Sequence, residues 1–184
     1  IKKVVVIGSG TMGSGIAAQV CNADIQVTLL DLTTEISEKA RERILKSRPP
    51  LLIDKSKISK INTGNINDNF SVVKEADWIV EAVVERIDIK HSIYEKIFNA
   101  RKTGSIVSSN TSSIPISVLS DKLSIEDKKD FCITHFFNPV RYIDLLEIVK
   151  SENNDLSKIN YLKKFCEEGL GKGAIVCNDT PGFL

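Results

Sequence analysis

Lys3-Val4-Val5-Val6-Ile7-Gly8-Ser9-Gly10-Thr11-Met12-Gly13 decides the architecture of this chain. An apolar run of strand length enters a glycine-rich turn, and the small-residue stretch 11–23 that follows reads as a helix. The glycines fit G-x-G-x-x-G, and their place between a strand and a helix separates them from a chance pattern. Gly8 suits the tight turn, Gly10 lets backbone approach a pyrophosphate, and Gly13 lets helix and strand pack closely. Thr11 and Met12 open the helix, whose N-terminus would face the anion.

Moving outward, a second apolar run at 26–30 ends at Asp31, about 20 positions beyond the glycines, as a dinucleotide site requires. A carboxylate there accepts hydrogen bonds from the adenosine ribose hydroxyls and repels a 2′-phosphate, which favours NAD over NADP. The alternation continues with a charged helix at 34–46, stopped by Ser47-Arg48-Pro49-Pro50. Residues 51–69 read as irregular and polar. Then come a strand at 78–84, a helix at 88–101, a strand at 105–109 and a short helix at 115–119. Strands at Phe131–Phe136 and 143–150, a helix at 155–168 and a strand at 174–177 complete the pattern. Apolar strands alternating with helices predict a Rossmann-like α/β fold: a doubly wound, mostly parallel sheet with its last strands antiparallel.

Composition narrows the function classes. With 42% hydrophobic residues and a net charge of +1 over 184 residues, the chain has neither a nucleic-acid footprint nor a disordered tail. No apolar run approaches the roughly 18 residues of a membrane span, and no targeting segment is visible, so a cytoplasmic location is expected. Cys21, Cys132, Cys166 and Cys177 are scattered without C-x-x-C spacing and read as buried reduced thiols. No His, Cys or carboxylate cluster has metal-ligand spacing, so no metal is expected.

The chain has only two histidines. His91 lies on the charged helix and reads as a solvated residue. His135 is different: with a turn centred near Arg141, antiparallel pairing of the strands beginning at Phe131 and Ile143 sets it opposite Glu147. A charge in the middle of Ile143-Asp144-Leu145-Leu146-Glu147-Ile148-Val149 needs a partner, and the imidazole is the natural one. A carboxylate on one ring nitrogen fixes the tautomer and leaves the other to exchange a proton with a substrate.

His135-Phe136-Phe137-Asn138-Pro139-Val140, preceded by Ser109-Asn110-Thr111-Ser112-Ser113 and followed by Asp179-Thr180-Pro181-Gly182-Phe183, closely resembles the L-3-hydroxyacyl-CoA dehydrogenases of fatty-acid β-oxidation. The resemblance runs in unbroken order over 3–184. Ala76-Asp77-Trp78-Ile79-Val80-Glu81 and Lys102-Thr103-Gly104-Ser105-Ile106-Val107-Ser108 look most like the bacterial subtype that carries this dehydrogenase ahead of an enoyl-CoA hydratase module.

The resemblance implies NAD-dependent oxidation of an L-3-hydroxyacyl-CoA to the 3-ketoacyl-CoA, with His135 as base and Glu147 orienting it. It implies that Glu85 and Lys90 contact the cofactor around the nicotinamide ribose, that Asn110 lies near the nicotinamide, and that Ser112 and Asn138 touch substrate. By their residue types alone, Glu85 and Lys90 would read as solvated, and Ser112 as a helix-capping hydroxyl. Arg43, Lys46 and Arg48 fall where the family holds the nucleotide part of CoA, or else form the basic face of an amphipathic helix. Residues 1–180 are then the NAD-binding domain, and 181–184 begin a linker to a helical C-terminal domain that closes the cleft and makes a homodimer. This stretch alone would bind NAD but turn over poorly. A short-chain 3-hydroxybutyryl-CoA dehydrogenase and a non-catalytic NAD-binding relative stay open as alternatives.

Overall fold

In a computed structural model, residues 1–183 are described. The apolar strands β1 (Lys3–Ile7), β2 (Gln26–Asp31), β4 (Trp78–Glu81), β5 (Ile106–Ser109), β6 (Phe131–Phe136), β7 (Leu145–Lys150) and β8 (Gly173–Asn178) join β3 (Ile61–Asn65) in one sheet. The spatial order is β3-β2-β1-β4-β5-β6-β7-β8. Every neighbouring pair is parallel except β6 with β7. Helices α1 (Thr11–Asn22), α2 (Thr34–Lys46), α3 (Ile87–Ala100), α4 (Ile116–Leu119), α5 (Ile125–Lys128) and α6 (Leu156–Glu168) connect the strands.

The sheet is buried from both sides, and β1 shows why its sequence is continuously apolar. Val4 and Val6 enter one core with Ile16, Leu29, Trp78 and Phe136, while Val5 and Ile7 enter the other with Ile79, Tyr94, Ile97 and Ile133. Alternate side chains of a strand face opposite ways, so a doubly covered strand needs apolar residues at every position. The chain runs outward from β1 through β2 to β3, then returns to lay β4 on the other side of β1. That reversal opens a crevice at the carboxyl ends of β1 and β4, where sheets of this kind bind ligands.

Residues 51–69 are more ordered than their composition predicts. A 3-10 turn at Lys55–Lys60 leads into β3, which pairs with β2 from Val27↔Ile61 to Asp31↔Asn65. Ile61-Asn62-Thr63-Gly64-Asn65 has one apolar side chain, because an edge strand is held by its ladder and needs little burial. The short helix α5, capped by the Ser124 hydroxyl on Asp127 N, was also hidden in a polar stretch. The predicted strand at 78–84 stops at Glu81, where the chain turns into the crevice, and the strand predicted from 143 begins at Leu145. The proposed linker ends at Leu184, which lies outside the described residues.

Candidate active site

The glycine loop has the geometry its three glycines suggest. Gly8 has φ +100, and a Cβ on Gly13 would stand 1.7 Å from Gly8 O, so only glycine lets α1 sit this close to the β1 turn. A Cβ on Gly10 would meet nothing within 4 Å, which leaves a cradle open on the side a phosphate would approach. Gly10 is also the N-cap of α1 and brings no side chain to that helix end. Asp31 Oδ2 accepts from Ser9 N at 2.7 Å and Ser9 Oγ at 2.5 Å, and Oδ1 accepts from Leu32 N at 2.7 Å. The loop and the Asp31 carboxylate are thereby locked together, with acceptor capacity left on both oxygens. They line a cavity of about 630 Å³ together with Ile36, Ile66 and Val83. These residues fit an adenosine diphosphate moiety: open backbone for phosphate, a carboxylate for ribose, and aliphatic walls for a base. Arg43 lines the same cavity, its Nη2 donating to Ser9 O at 3.0 Å.

A second cavity of about 350 Å³ shares Ala82 and Val83 with the first and is lined by Met12, Glu85, Lys90, Asn110, Ser112, His135 and Asn138. The sequence-derived candidates outside the glycine loop and Asp31 thus converge here, except Glu147, which stands behind His135. The β6–β7 register places His135 opposite Glu147, and His135 Nδ1 lies 2.9 Å from Glu147 Oε1. His135 is 14% exposed at its side chain and Glu147 only 3%. The carboxylate is therefore shielded from water while the ring reaches the cavity. The rings of Phe137, at 4.4 Å, and Phe183, at 5.7 Å, confine the imidazole.

Asn110 and Asn138 reach the cavity from different elements. Asn110 follows β5 and accepts from Phe136 N at 2.9 Å, tying the end of β5 to the residue beside His135. Asn138 sits on the turn after β6. That turn is anchored by Arg141 on Pro50 O and Leu52 O, at 2.8 and 3.0 Å, and by the buried Lys172 amine donating to Val140 O and Ile143 O. Burial pushes the Lys172 amine below the usual lysine range.

Lys90 is buried, whereas Glu85 stays exposed, 42% at its side chain. Lys90 is 1% exposed and makes ion pairs with Glu81 at 2.7 Å and Glu85 at 3.2 Å. Glu85 Oε1 accepts from Thr111 Oγ1 at 2.8 Å and Ser112 N at 3.0 Å, so it also holds the loop that carries Ser112. Burial raises the Glu85 carboxyl, but the Ser112 N–H, the Thr111 hydroxyl and the Lys90 charge outweigh it and leave its pKa below the usual range. Glu81 and Thr111 escaped sequence reasoning. Glu81 looks like the end of an apolar strand, and only a charge closing Trp-Ile-Val could have marked it. His91 Nε2 lies 2.9 Å from Val118 O, tying α3 to α4.

A family model described as the NAD binding domain of 3-hydroxyacyl-CoA dehydrogenase matches residues 3–180. The chain belongs to that family. It is 39% identical over 191 residues to a Deinococcus radiodurans protein named as a 3-hydroxyacyl-CoA dehydrogenase, covering all of this chain and 55% of that protein. It is 40% identical over 191 residues to a Rickettsia felis protein named as a fatty acid oxidation complex trifunctional enzyme, of which it covers 26%. The crystal structure of (S)-3-hydroxybutyryl-CoA dehydrogenase from Ralstonia eutropha superposes with a TM-score of 0.86 at 28% identity, over 100% of this chain and 66% of that one. The chain therefore spans about half, or about a quarter, of the length of these curated relatives. The matched family is an NAD-binding one, and the glycine-loop crevice has the residues that fit an adenosine diphosphate moiety.

Proposed function

We propose that the chain is the dinucleotide-binding half of an enzyme that oxidises an L-3-hydroxyacyl-CoA to the 3-ketoacyl-CoA in fatty-acid β-oxidation. The observation that carries this reading is the His135–Glu147 pair, Nδ1 to Oε1 at 2.9 Å, with His135 on the wall of a cavity that shares Ala82 and Val83 with the glycine-loop crevice. NAD, when bound, supplies the acceptor for the hydride leaving carbon 3. His135 takes the hydroxyl proton through Nε2, because Glu147 occupies Nδ1, and the adjacent carboxylate stabilises the imidazolium that results. In reduction the same proton returns to the 3-keto oxygen. Positioned proton transfer of this kind contributes roughly 10² to 10⁴ in rate. Ser112 and Asn138, on two loops that line the same cavity as His135, contact the substrate. Asn110 fixes the strand behind the ring, and Glu85 and Lys90 border the nicotinamide ribose.

A helical domain following residues 181–184 supplies the second wall of the cleft and a homodimer contact. The chain covers 55% of the Deinococcus protein, so that relative has further sequence outside the match, which supports an additional domain, and the trifunctional name of the Rickettsia relative supports fusion to other modules. Among the described residues no helix is long and apolar enough to cross a membrane. Cys21, Cys132 and Cys166 are buried free thiols, which fits a reducing compartment such as the cytoplasm. A short-chain 3-hydroxybutyryl-CoA dehydrogenase is the second reading, favoured by the likeness to the Ralstonia structure. NADH oxidation with acetoacetyl-CoA and with a long-chain 3-ketoacyl-CoA, on the whole protein and on residues 1–184, tests both. Turnover of both substrates by the whole protein alone is expected. Activity confined to acetoacetyl-CoA would select the short-chain reading, and NADH binding without any turnover would leave a non-catalytic relative.

A further inference from the structure

Glu81 has no place in the reaction as described, yet its carboxylate accepts four hydrogen bonds. It ends β4 after the apolar Trp78, Ile79 and Val80 and is 0% exposed. An aliphatic side chain would suit that position, since replacing a buried ion pair by apolar groups often leaves stability unchanged or raises it. What the carboxylate adds is direction. Oε2 accepts from Lys90 Nζ at 2.7 Å and Val83 N at 2.9 Å, and Oε1 accepts from Ser109 Oγ at 2.8 Å and from the Tyr94 hydroxyl. These donors come from α3, from β5 and from the β4–α3 loop. One side chain thus joins the three segments that floor the crevice. Burial, and then the Glu81 charge, push the Tyr94 phenol well above its usual range, so it remains a donor to that carboxylate.

The constraint continues upward. Lys90 spends its donors on Glu81, on Glu85 at 3.2 Å and on Val83 O at 3.4 Å. Glu85 in turn holds Thr111 Oγ1 and Ser112 N. Lys90, Glu85 and Ser112 line the reaction cavity, whereas Glu81 lies beneath it. We propose that Glu81 is a positioning residue that, through Lys90 and Glu85, fixes the β4–α3 and β5–α4 loops on the nicotinamide side of the dinucleotide crevice. The adenosine side is held by hydrogen bonds from Ser9 to Asp31, which involve none of Glu81, Lys90, Glu85 and Thr111, and it meets this series where Gly8 packs against the Ala82 and Val83 backbone. Loss of Glu81 therefore acts chiefly on the nicotinamide half of the dinucleotide.

The test compares binding of NADH with binding of ADP, which lacks the nicotinamide half, in the whole protein carrying Glu81→Gln. NADH affinity is expected to fall by at least about tenfold, with ADP affinity kept within about twofold. The turnover number with acetoacetyl-CoA falls by a larger factor than its KM rises. Equal weakening of NADH and ADP, or no change in either, would overturn the proposal. If Glu81→Gln is not recovered folded, Thr111→Val reads the same constraint from its far end. It is expected to show the selective loss of NADH binding, and Thr111→Ser, which keeps the hydroxyl, to regain it. Unchanged NADH binding in Thr111→Val would overturn the proposal. The turnover arm rests on the proposed reaction. A wild-type protein that binds NADH without reducing acetoacetyl-CoA removes that reaction, while the comparison of NADH with ADP still decides the role of Glu81.

Discussion

The two cavities that meet at Ala82 and Val83 are built in opposite ways. The larger, of about 630 Å³, owes its binding features to backbone geometry within one short loop plus a single carboxylate at the end of the next strand. The smaller, of about 350 Å³, is furnished by side chains from α1, α3, β6 and the loops after β4, β5 and β6. A cofactor shared by many enzymes can be recognised by a local motif, because phosphate and ribose ask only for N–H groups and an acceptor. A reaction needs several groups held at fixed distances from one carbon, and that requires long-range assembly.

Substitution should separate the halves. The largest effect is expected from His135→Ala, which should lower turnover by at least about 10²-fold while NADH affinity stays near wild type. Parallel loss of NADH binding would show that the two cavities are not separable. Next, Gly10→Ala and Gly13→Ala should fail for different reasons. A methyl at Gly10 meets no protein atom within 4 Å, so the protein should melt normally yet bind NADH at least about tenfold more weakly, by titration of cofactor fluorescence. A methyl at Gly13 would collide with Gly8 O, costing about 3 kcal/mol of stability in denaturant unfolding. If both variants merely unfold, the open cradle at Gly10 is not a binding feature. Asp31→Ala should weaken NAD by about tenfold and narrow its preference over NADP. An unchanged ratio of the two affinities would remove its ribose role.

The smallest effect lies outside both cavities. Asp77 accepts from Lys2 N, Lys3 N and Lys102 Nζ, and although burial raises its carboxyl, these donors bring it down to about 2. A carboxyl whose folded pKa is depressed contributes stability above its unfolded value and loses it as pH falls through the folded one. With solvent screening allowed for, Asp77→Asn should cost roughly 1 kcal/mol at neutral pH, a drop of about 2–4 °C in Tm. The gap between variant and wild type should close as pH falls from about 4 to about 2, and a gap that persists there would count against this ion pair.

The contrast between the cavities also explains what could be read from sequence. Gly8, Gly10, Gly13 and Asp31 stand in a contiguous pattern whose spacing reflects one local conformation. The His135–Glu147 pair was equally legible, because an antiparallel ladder converts spacing along the chain into opposition across strands. Lys90 was not: on the charged helix start Asp88-Ile89-Lys90-His91 it looks solvated, and only the fold shows a carboxylate waiting beneath it on β4. Glu81 hides as the last letter of an apolar strand, and Thr111 as a loop hydroxyl. β3 was missed because an edge strand with one apolar residue carries almost no periodic signal.

The antiparallel pairing of β6 with β7 separates two kinds of change. The distance between imidazole and carboxylate is set by the ladder Ile133↔Val149 through Phe136↔Leu146, and not by the connection that joins the strands. Asn138, which lines the smaller cavity from that connection, can therefore be exchanged while the imidazole and carboxylate stay in register. A slip of one residue in the ladder would instead turn every β7 side chain to the opposite face. The wall of the cavity can thus change through the connecting turn while the imidazole–carboxylate distance stays fixed by the sheet.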